Sequence, residues 1–213
     1  MEKKLTLKRL IIPATGLLFA AYSAYNVFIV IRDGGALSSE GILISIIVAL
    51  LFAVLAAYVW TAKVKRKKGF FRMVRRTALI IALIAIFALK LRMVVRVVEY
   101  VDFSELQTVF VYGEPFAFSM LQTLLYGAAY FMTLAAMLIL IIYFIVIRKR
   151  PLMFPKASVA LPVTAMVLFL VSLIMDMVLF LAYGVNLEAS PLRTAVMRPV
   201  FYLGFIGLCA YCL

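Results

Sequence analysis

The sequence predicts an all-α, polytopic integral membrane protein: a helical bundle with six transmembrane helices. Two properties of its 213 residues lead to this class, since 67% are hydrophobic and only 15% are charged. Soluble domains are about 45–50% apolar and about 25% charged, so a soluble fold could not cover this much apolar surface. Disordered chains are poor in apolar residues, which excludes intrinsic disorder as well.

Six segments are long enough and apolar enough to span a bilayer, which takes roughly 20 residues. They are about 10–31, 42–62, 77–98, 116–147, 157–183 and 194–213. The first begins like a signal peptide, but its apolar run is too long, so we interpret it as a retained span. The fourth exceeds the bilayer thickness and should tilt, bend or begin in the interface. No break could hold a soluble domain, so we expect residues 1–213 to form a single transmembrane domain.

The net charge of +13 is concentrated in alternate breaks between these segments. The positive-inside rule places those breaks in the cytoplasm, which gives an N-in/C-in topology. The expected location is the cytoplasmic or plasma membrane of a prokaryote rather than an organelle. The three basic groups are Lys3, Lys4, Lys8 and Arg9; Lys63, Lys65, Arg66, Lys67, Lys68, Arg72, Arg75 and Arg76; and Arg148, Lys149, Arg150 and Lys156.

The polybasic loop 63–76 combines dense positive charge with aromatic residues. Such a juxtamembrane segment is attracted to anionic lipids. Lipid contact and topology control explain it adequately, and docking of a cytoplasmic protein partner is the alternative. Nucleic-acid binding is not expected, because no recognisable binding module is present.

The third span carries charges that do not belong in lipid. Its uncharged part, Thr77 to Leu89, measures only about 20 Å, so Lys90, Arg92 and Arg96 should lie within the outer part of the membrane. Arg92, Arg96 and Glu99 share one helix face by their i, i+4, i+7 spacing. Lys90 points almost the opposite way and needs another partner or an interfacial position.

Asp176 is the single acid inside an apolar run of the fifth span. We expect it to pair with Arg92 or Lys90 and so to join the fifth span to the third. Such a pair could fix helix register, or it could belong to a ligand or ion site, since ionisable residues within membranes are functional candidates. An excess of cations over acids at this depth favours the second interpretation.

Polar residues of the fourth span recur at helical spacing along one stripe. Facing lipid, the stripe would leave polar groups unsatisfied, so it should face another helix or line a wet cavity. Asn26 in the first span is a further candidate for lining such a cavity. The stripe comprises Ser119, Gln122, Thr123, Tyr126, Tyr130 and Thr133.

The first span also carries a row of small residues, Gly16, Ala20 and Ala24. Small residues at every fourth position allow close approach of another helix, so this row should pack against a helix of this chain or of another subunit.

The sequence lacks the residues that most enzymes and metal sites use. There is no histidine, which removes the commonest metal ligand and general base. Cys209 and Cys212 form a C-x-x-C without a thioredoxin-like context or further zinc ligands. We therefore expect no enzymatic activity, no cofactor and no metal.

Two functions are favoured over a third, a charge-moving sensor or channel, because Lys90, Arg92 and Arg96 are not spaced every third residue as in a voltage-sensing helix. The first is a small transporter or membrane substrate-binding subunit, in which the cations of the third span attract an anionic or polar small molecule in the outer half of the membrane. The alternative is a non-catalytic structural or regulatory subunit that binds a partner through the first span or the 63–76 loop.

Overall fold

The computed structural model describes residues 7–33, 39–62, 69–100, 108–111, 114–117, 120–149, 152–183 and 193–213. Within them, six helices are long and apolar enough to cross a membrane, as expected for a multi-pass membrane protein in a lipid bilayer. The helices are α1 (Leu7–Asp33), α2 (Ser39–Thr61), α3 (Gly69–Tyr100), α4 (Met120–Ile145), α5 (Pro155–Tyr183) and α6 (Arg198–Cys212).

A short hairpin between α3 and α4 corrects the expected fourth span of 116–147. Strand β1 (Thr108–Val111) pairs antiparallel with β2 (Glu114–Ala117), so the helix begins only at Met120. The residues Thr-Val-Phe-Val of β1 are β-branched or aromatic and favour a strand. Pro115 disfavours helical backbone at the residue before it. A helix of 26 residues ending at Ile145 spans about 39 Å and has no need of an unusual tilt.

Helix α6 follows a π-helical turn, Arg193–Met197. Pro199 lies at the start of α6 and has no amide hydrogen, so it cannot bond to the carbonyl of Ala195 as a continuous α-helix requires. The switch in helix type therefore falls beside Arg198, the first residue of α6.

The helices pack in a closed ring that follows chain order. Each helix contacts the next one along the chain, and α6 returns to α1. Neighbouring helices run antiparallel, as two hydrogen bonds illustrate. Each joins two residues of which one lies about as far from the end of its helix as the other lies from the start of the next helix. Ser23 of α1 donates to the carbonyl of Ala49 in α2, and Ser172 of α5 donates to that of Ala129 in α4.

Phenylalanine side chains fill the space between the helices at the centre of the bundle. Phe205 of α6 stacks on Phe169 of α5 with centroids 5.0 Å apart, and it meets Phe19 of α1 edge-on at 5.7 Å. Phe52 of α2 completes the group, 5.7 Å from Phe19. All four side chains are fully buried. Each such aromatic pair stabilises the packing by about 0.5–1.5 kcal/mol beyond simple burial.

The small-residue row of α1 is divided between two environments. Gly16 is buried, and a Cβ built on it would collide with the indole ring of Trp60 in α2. Ala20 and Ala24 are exposed on the outside of the bundle. Helices α1 and α6 approach each other closely at Gly207, where an added Cβ would collide with Thr15 Oγ1.

Two adjacent arginines of α3 cap the helices on either side. Arg75 Nη1 donates to the carbonyl of Thr61, the last residue of α2, at 2.5 Å, and Arg76 Nη2 donates to the carbonyl of Phe144 near the end of α4. Cations at helix C-termini satisfy orphan carbonyls and complement the helix dipole. We call this the basic end of the bundle, where α2 and α4 finish and α3 and α5 begin. Arg75 and Arg76 lie within α3, not in a loop.

Candidate functional site

A buried carboxylate at the end opposite the basic end organises the candidate site. Asp176 of α5 is 6% exposed, and its Oδ1 lies 3.5 Å from Arg198 Nη1 of α6. Its other oxygen, Oδ2, accepts a hydrogen bond of 3.0 Å from the hydroxyl of Tyr202. The expectation that Asp176 pairs with Arg92 or Lys90 was therefore wrong, because α5 packs between α4 and α6 whereas α3 packs against α2 and α4.

Helix geometry brings these three side chains to one level. Asp176 lies seven residues, or about 10 Å, before the end of α5 at Tyr183, and α6 begins at Arg198 and runs the opposite way. Tyr202 is four residues after Arg198 and therefore lies on the same face of α6. One helix face thus supplies both the cation and the hydroxyl that hold the carboxylate.

A polar layer continues from Tyr202 into α4. Thr133 Oγ1 lies 3.4 Å from the Tyr202 hydroxyl and donates to the carbonyl of Ala129 at 2.8 Å. Ser172 of α5 donates to that same carbonyl at 3.1 Å. Thr133, Ser172 and Asp176 are all buried, so these polar groups satisfy one another away from lipid.

Lys90 enters the site from α3 and lies against aromatic faces. Its Nζ is 4.8 Å from the ring centroid of Tyr130 in α4 and 4.9 Å from that of Phe201 in α6. Among the described residues, no carboxylate lies within salt-bridge distance of Lys90. Cation–π attraction at partly desolvated sites is worth about 0.5–2 kcal/mol, so the two rings hold the ammonium in place.

Two tyrosines of α4 connect Lys90 to Arg198. The Tyr126 and Tyr130 rings, one helical turn apart, are 5.1 Å from each other. Lys90 lies over Tyr130, and the guanidinium of Arg198 lies 5.9 Å from the ring of Tyr126. Two cations and one carboxylate are therefore arranged around a pair of phenol rings, which leaves the described cluster with a net positive charge.

No known protein family, curated protein or solved structure matches this chain. The interpretation of the site therefore depends on the contacts of its own side chains.

The other expected site residues lie in different places. Arg92 is exposed on the outer surface of α3. Asn26 donates its side-chain amide to the carbonyl of Tyr22 in its own helix at 2.8 Å. Gln122 is half-buried in the first turn of α4. Ser119 and the side chains of Arg96, Glu99 and Thr123 lie outside the described part of the structure.

Sequence reasoning missed Arg198, Tyr202 and Phe201. The signal was present, because Arg198 lies inside the expected sixth span of 194–213 and only a few residues from its outer end, as Asp176 does in the fifth. The pairing expected for Asp176 considered only the cations of the third span. The aromatic faces beside Lys90 have no sequence signal, since they come from two other helices.

A second cationic cluster lies at the basic end, around Arg148. Its guanidinium lies 5.1 Å from the ring of Phe144 and 5.4 Å from that of Tyr211, and Nη1 donates to Cys212 Sγ at 3.5 Å. Burial lowers the pKa of Arg148, but Tyr58, Cys212 and Tyr211 outweigh this and raise the pKa above its usual value. Arg148 is charged, as a guanidinium in a protein always is, and it joins the end of α4 to the end of α6.

The thiols of the C-x-x-C do not form a disulfide. Cys209 is fully buried, and Cys212 lies beside Arg148. Among the described residues, no group of three or more Cys, Asp or Glu side chains is placed to hold a metal ion.

Proposed function

We propose that this protein is a small transporter or membrane substrate-binding subunit that binds an anionic or polar small molecule beside Lys90. The observation that carries the proposal is the position of the Lys90 ammonium, between the rings of Tyr130 and Phe201 and without a carboxylate among the described residues nearby. A charge placed inside a membrane protein is costly, and a ligand that neutralises it gains the corresponding attraction.

Arg198 and Asp176 have a supporting role in this proposal. The carboxylate holds Arg198 against α5, and Tyr202 holds the carboxylate. Arg198 then adds positive potential on the Tyr126 side of the phenol pair. The acid neutralises one cation only, so an anionic group is attracted to the remaining charge, that of Lys90.

The proposed orientation follows from charge. The basic end would face the cytoplasm, with an N-in/C-in topology, and the site would open towards the outside. The connection 63–76 would contact anionic lipids of the cytoplasmic leaflet. The cytoplasmic or plasma membrane of a prokaryote is the proposed location.

A panel of small anions tests the site. Thermal unfolding of the detergent-solubilised protein would be followed in the presence of monocarboxylates, dicarboxylates and inorganic phosphate, with matched ammonium compounds as controls. We expect at least one anion to raise the melting temperature of the wild type and of Arg32→Gln, a variant at the same end but outside the site. The same anion should have no effect on Lys90→Gln. An equal shift in Lys90→Gln would refute the role of Lys90.

The alternative function is a structural or regulatory subunit, for which the exposed Ala20 and Ala24 on α1 are the observation in favour. Small exposed residues on a membrane helix permit close packing by a helix of another protein. Copurification of a stoichiometric protein partner that Ala20→Leu abolishes would favour this function.

A further inference from the structure

Large apolar side chains project from both connections at the basic end. On the first turn of α3, Phe70 is 70% exposed and Met73 is equally exposed. In the turn between α4 and α5, Leu152 is 95% exposed, and Met153 and Phe154 are exposed beside it. Helix α2 ends at Thr61 and helix α4 ends at Ile145. The exposed apolar residues lie beyond these two helix ends and therefore outside the middle of the bilayer.

Cations accompany both apolar groups. Arg72 is exposed between Phe70 and Met73, and Lys156 is exposed two residues after Phe154. Arg75, Arg76 and Arg148 bind helix carbonyls, rings or a thiol of the protein, whereas Arg72 and Lys156 are exposed. Apolar side chains alternating with cations are typical of segments that lie in the membrane interface and contact anionic headgroups.

The two connections are neighbours in space. Arg76, one turn after Arg72, donates to the carbonyl of Phe144, and Arg148 joins the end of α4 to Tyr58 of α2. The start of α3 is thereby fixed to the end of α4, from which the Leu152 turn continues. Both apolar groups therefore meet the same leaflet.

We infer that Phe70–Met73 and Leu152–Phe154 together form one interfacial anchor that inserts into the leaflet at the basic end and binds anionic phospholipid through Arg72 and Lys156. This goes beyond the proposed lipid contact of the 63–76 connection, because it assigns a second connection to the membrane. It does not depend on the ligand site at Lys90. We assign an anionic lipid to this surface because its acyl chains can contact the apolar side chains while its phosphate binds the cations.

Lipid retention tests the charge part of this inference. The protein would be taken from bilayers of phosphatidylglycerol and phosphatidylcholine with identical acyl chains, and its bound lipids measured by native mass spectrometry. We expect phosphatidylglycerol to be enriched on the wild type and the enrichment to fall about fivefold for each cation removed in Arg72→Gln and Lys156→Gln. Arg32→Gln, at the opposite end, serves as the matched control and should retain the enrichment. Unchanged enrichment in the double variant would overturn the inference.

Depth measurements test the apolar part. A tryptophan would replace Phe154 in a Trp60→Phe background, so that it is the single tryptophan of the chain. We expect its fluorescence to be quenched by lipids brominated near the headgroup and protected from aqueous iodide. Quenching by iodide alone would show that the turn is in water and would contradict the anchor. Protection that appears only with a copurified protein would assign the surface to a protein partner instead.

Discussion

Arg198 Nη1 and Asp176 Oδ1 lie 3.5 Å apart and join the first residue of α6 to the half of α5 that is remote from the basic end. The guanidinium remains 23% exposed while the carboxylate is almost completely buried. Tyr202 donates to the second carboxylate oxygen from the next turn of α6. The carboxylate therefore depends on one helix for both of its partners, and this contact fixes how α5 meets α6.

Disrupting this pair should destabilise the bundle. Asp176→Asn and Arg198→Gln should each reduce the free energy of unfolding in mixed micelles by about 1–3 kcal/mol, less than for a fully buried pair because Arg198 is partly exposed. The double variant should lose less than the sum of the two, since both single variants remove the same ion pair and the double variant removes it only once. Strictly additive losses would mean that the two groups do not interact.

The contact of Gly207 with Thr15 should be intolerant of even one methyl group. The Cβ added by Gly207→Ala would collide with Thr15 Oγ1 and lie 3.2 Å from Thr15 Cβ, so we expect the free energy of unfolding to fall by about 1–3 kcal/mol. Adding Thr15→Ala should restore part of it by removing the hydroxyl. Gly127→Ala is the matched control, because a Cβ there has no neighbour within 4 Å and alanine favours the helix. Equal stability of the two glycine variants would contradict the close approach of α1 and α6.

Substituting Arg76 should lower the free energy of unfolding more than substituting Arg72, although the two residues are one helical turn apart. Arg76→Gln removes the donor that caps the end of α4 and should cost about 1–2 kcal/mol. Arg72→Gln changes an exposed side chain and should alter stability by less than about 0.5 kcal/mol. Thermal unfolding of both variants checks this, and a larger loss for Arg72→Gln would disprove the capping role.

The sequence predicted six apolar helices correctly because hydrophobicity over about 20 residues is a local property. The expected fourth span was wrong at its start, where Glu114–Ala117 is a strand. The strand that pairs with it, Thr108–Val111, lies in the break between the expected third and fourth spans. Helix ends were also underestimated. α3 begins at Gly69, because the arginines of its first turns bind neighbouring helix ends instead of entering water.

The site could be predicted only in part. Asp176 and Lys90 stand out in the sequence because charges are rare in apolar runs. Their partners depend on which helices are neighbours, and spacing along one helix contains no such information. The ring of helices places α6 beside α5 and brings Phe201 to Lys90, which is why Arg198 replaced Arg92 as the partner of Asp176.

The central claim, an anion site at Lys90, is tested most directly by native mass spectrometry of the gently solubilised protein. We predict a bound small anion on the wild type and on Arg32→Gln, and its loss from Lys90→Gln without loss of the folded protein. A wild type that never has a small molecule bound but always has a stoichiometric protein partner would contradict this account and favour a structural or regulatory subunit.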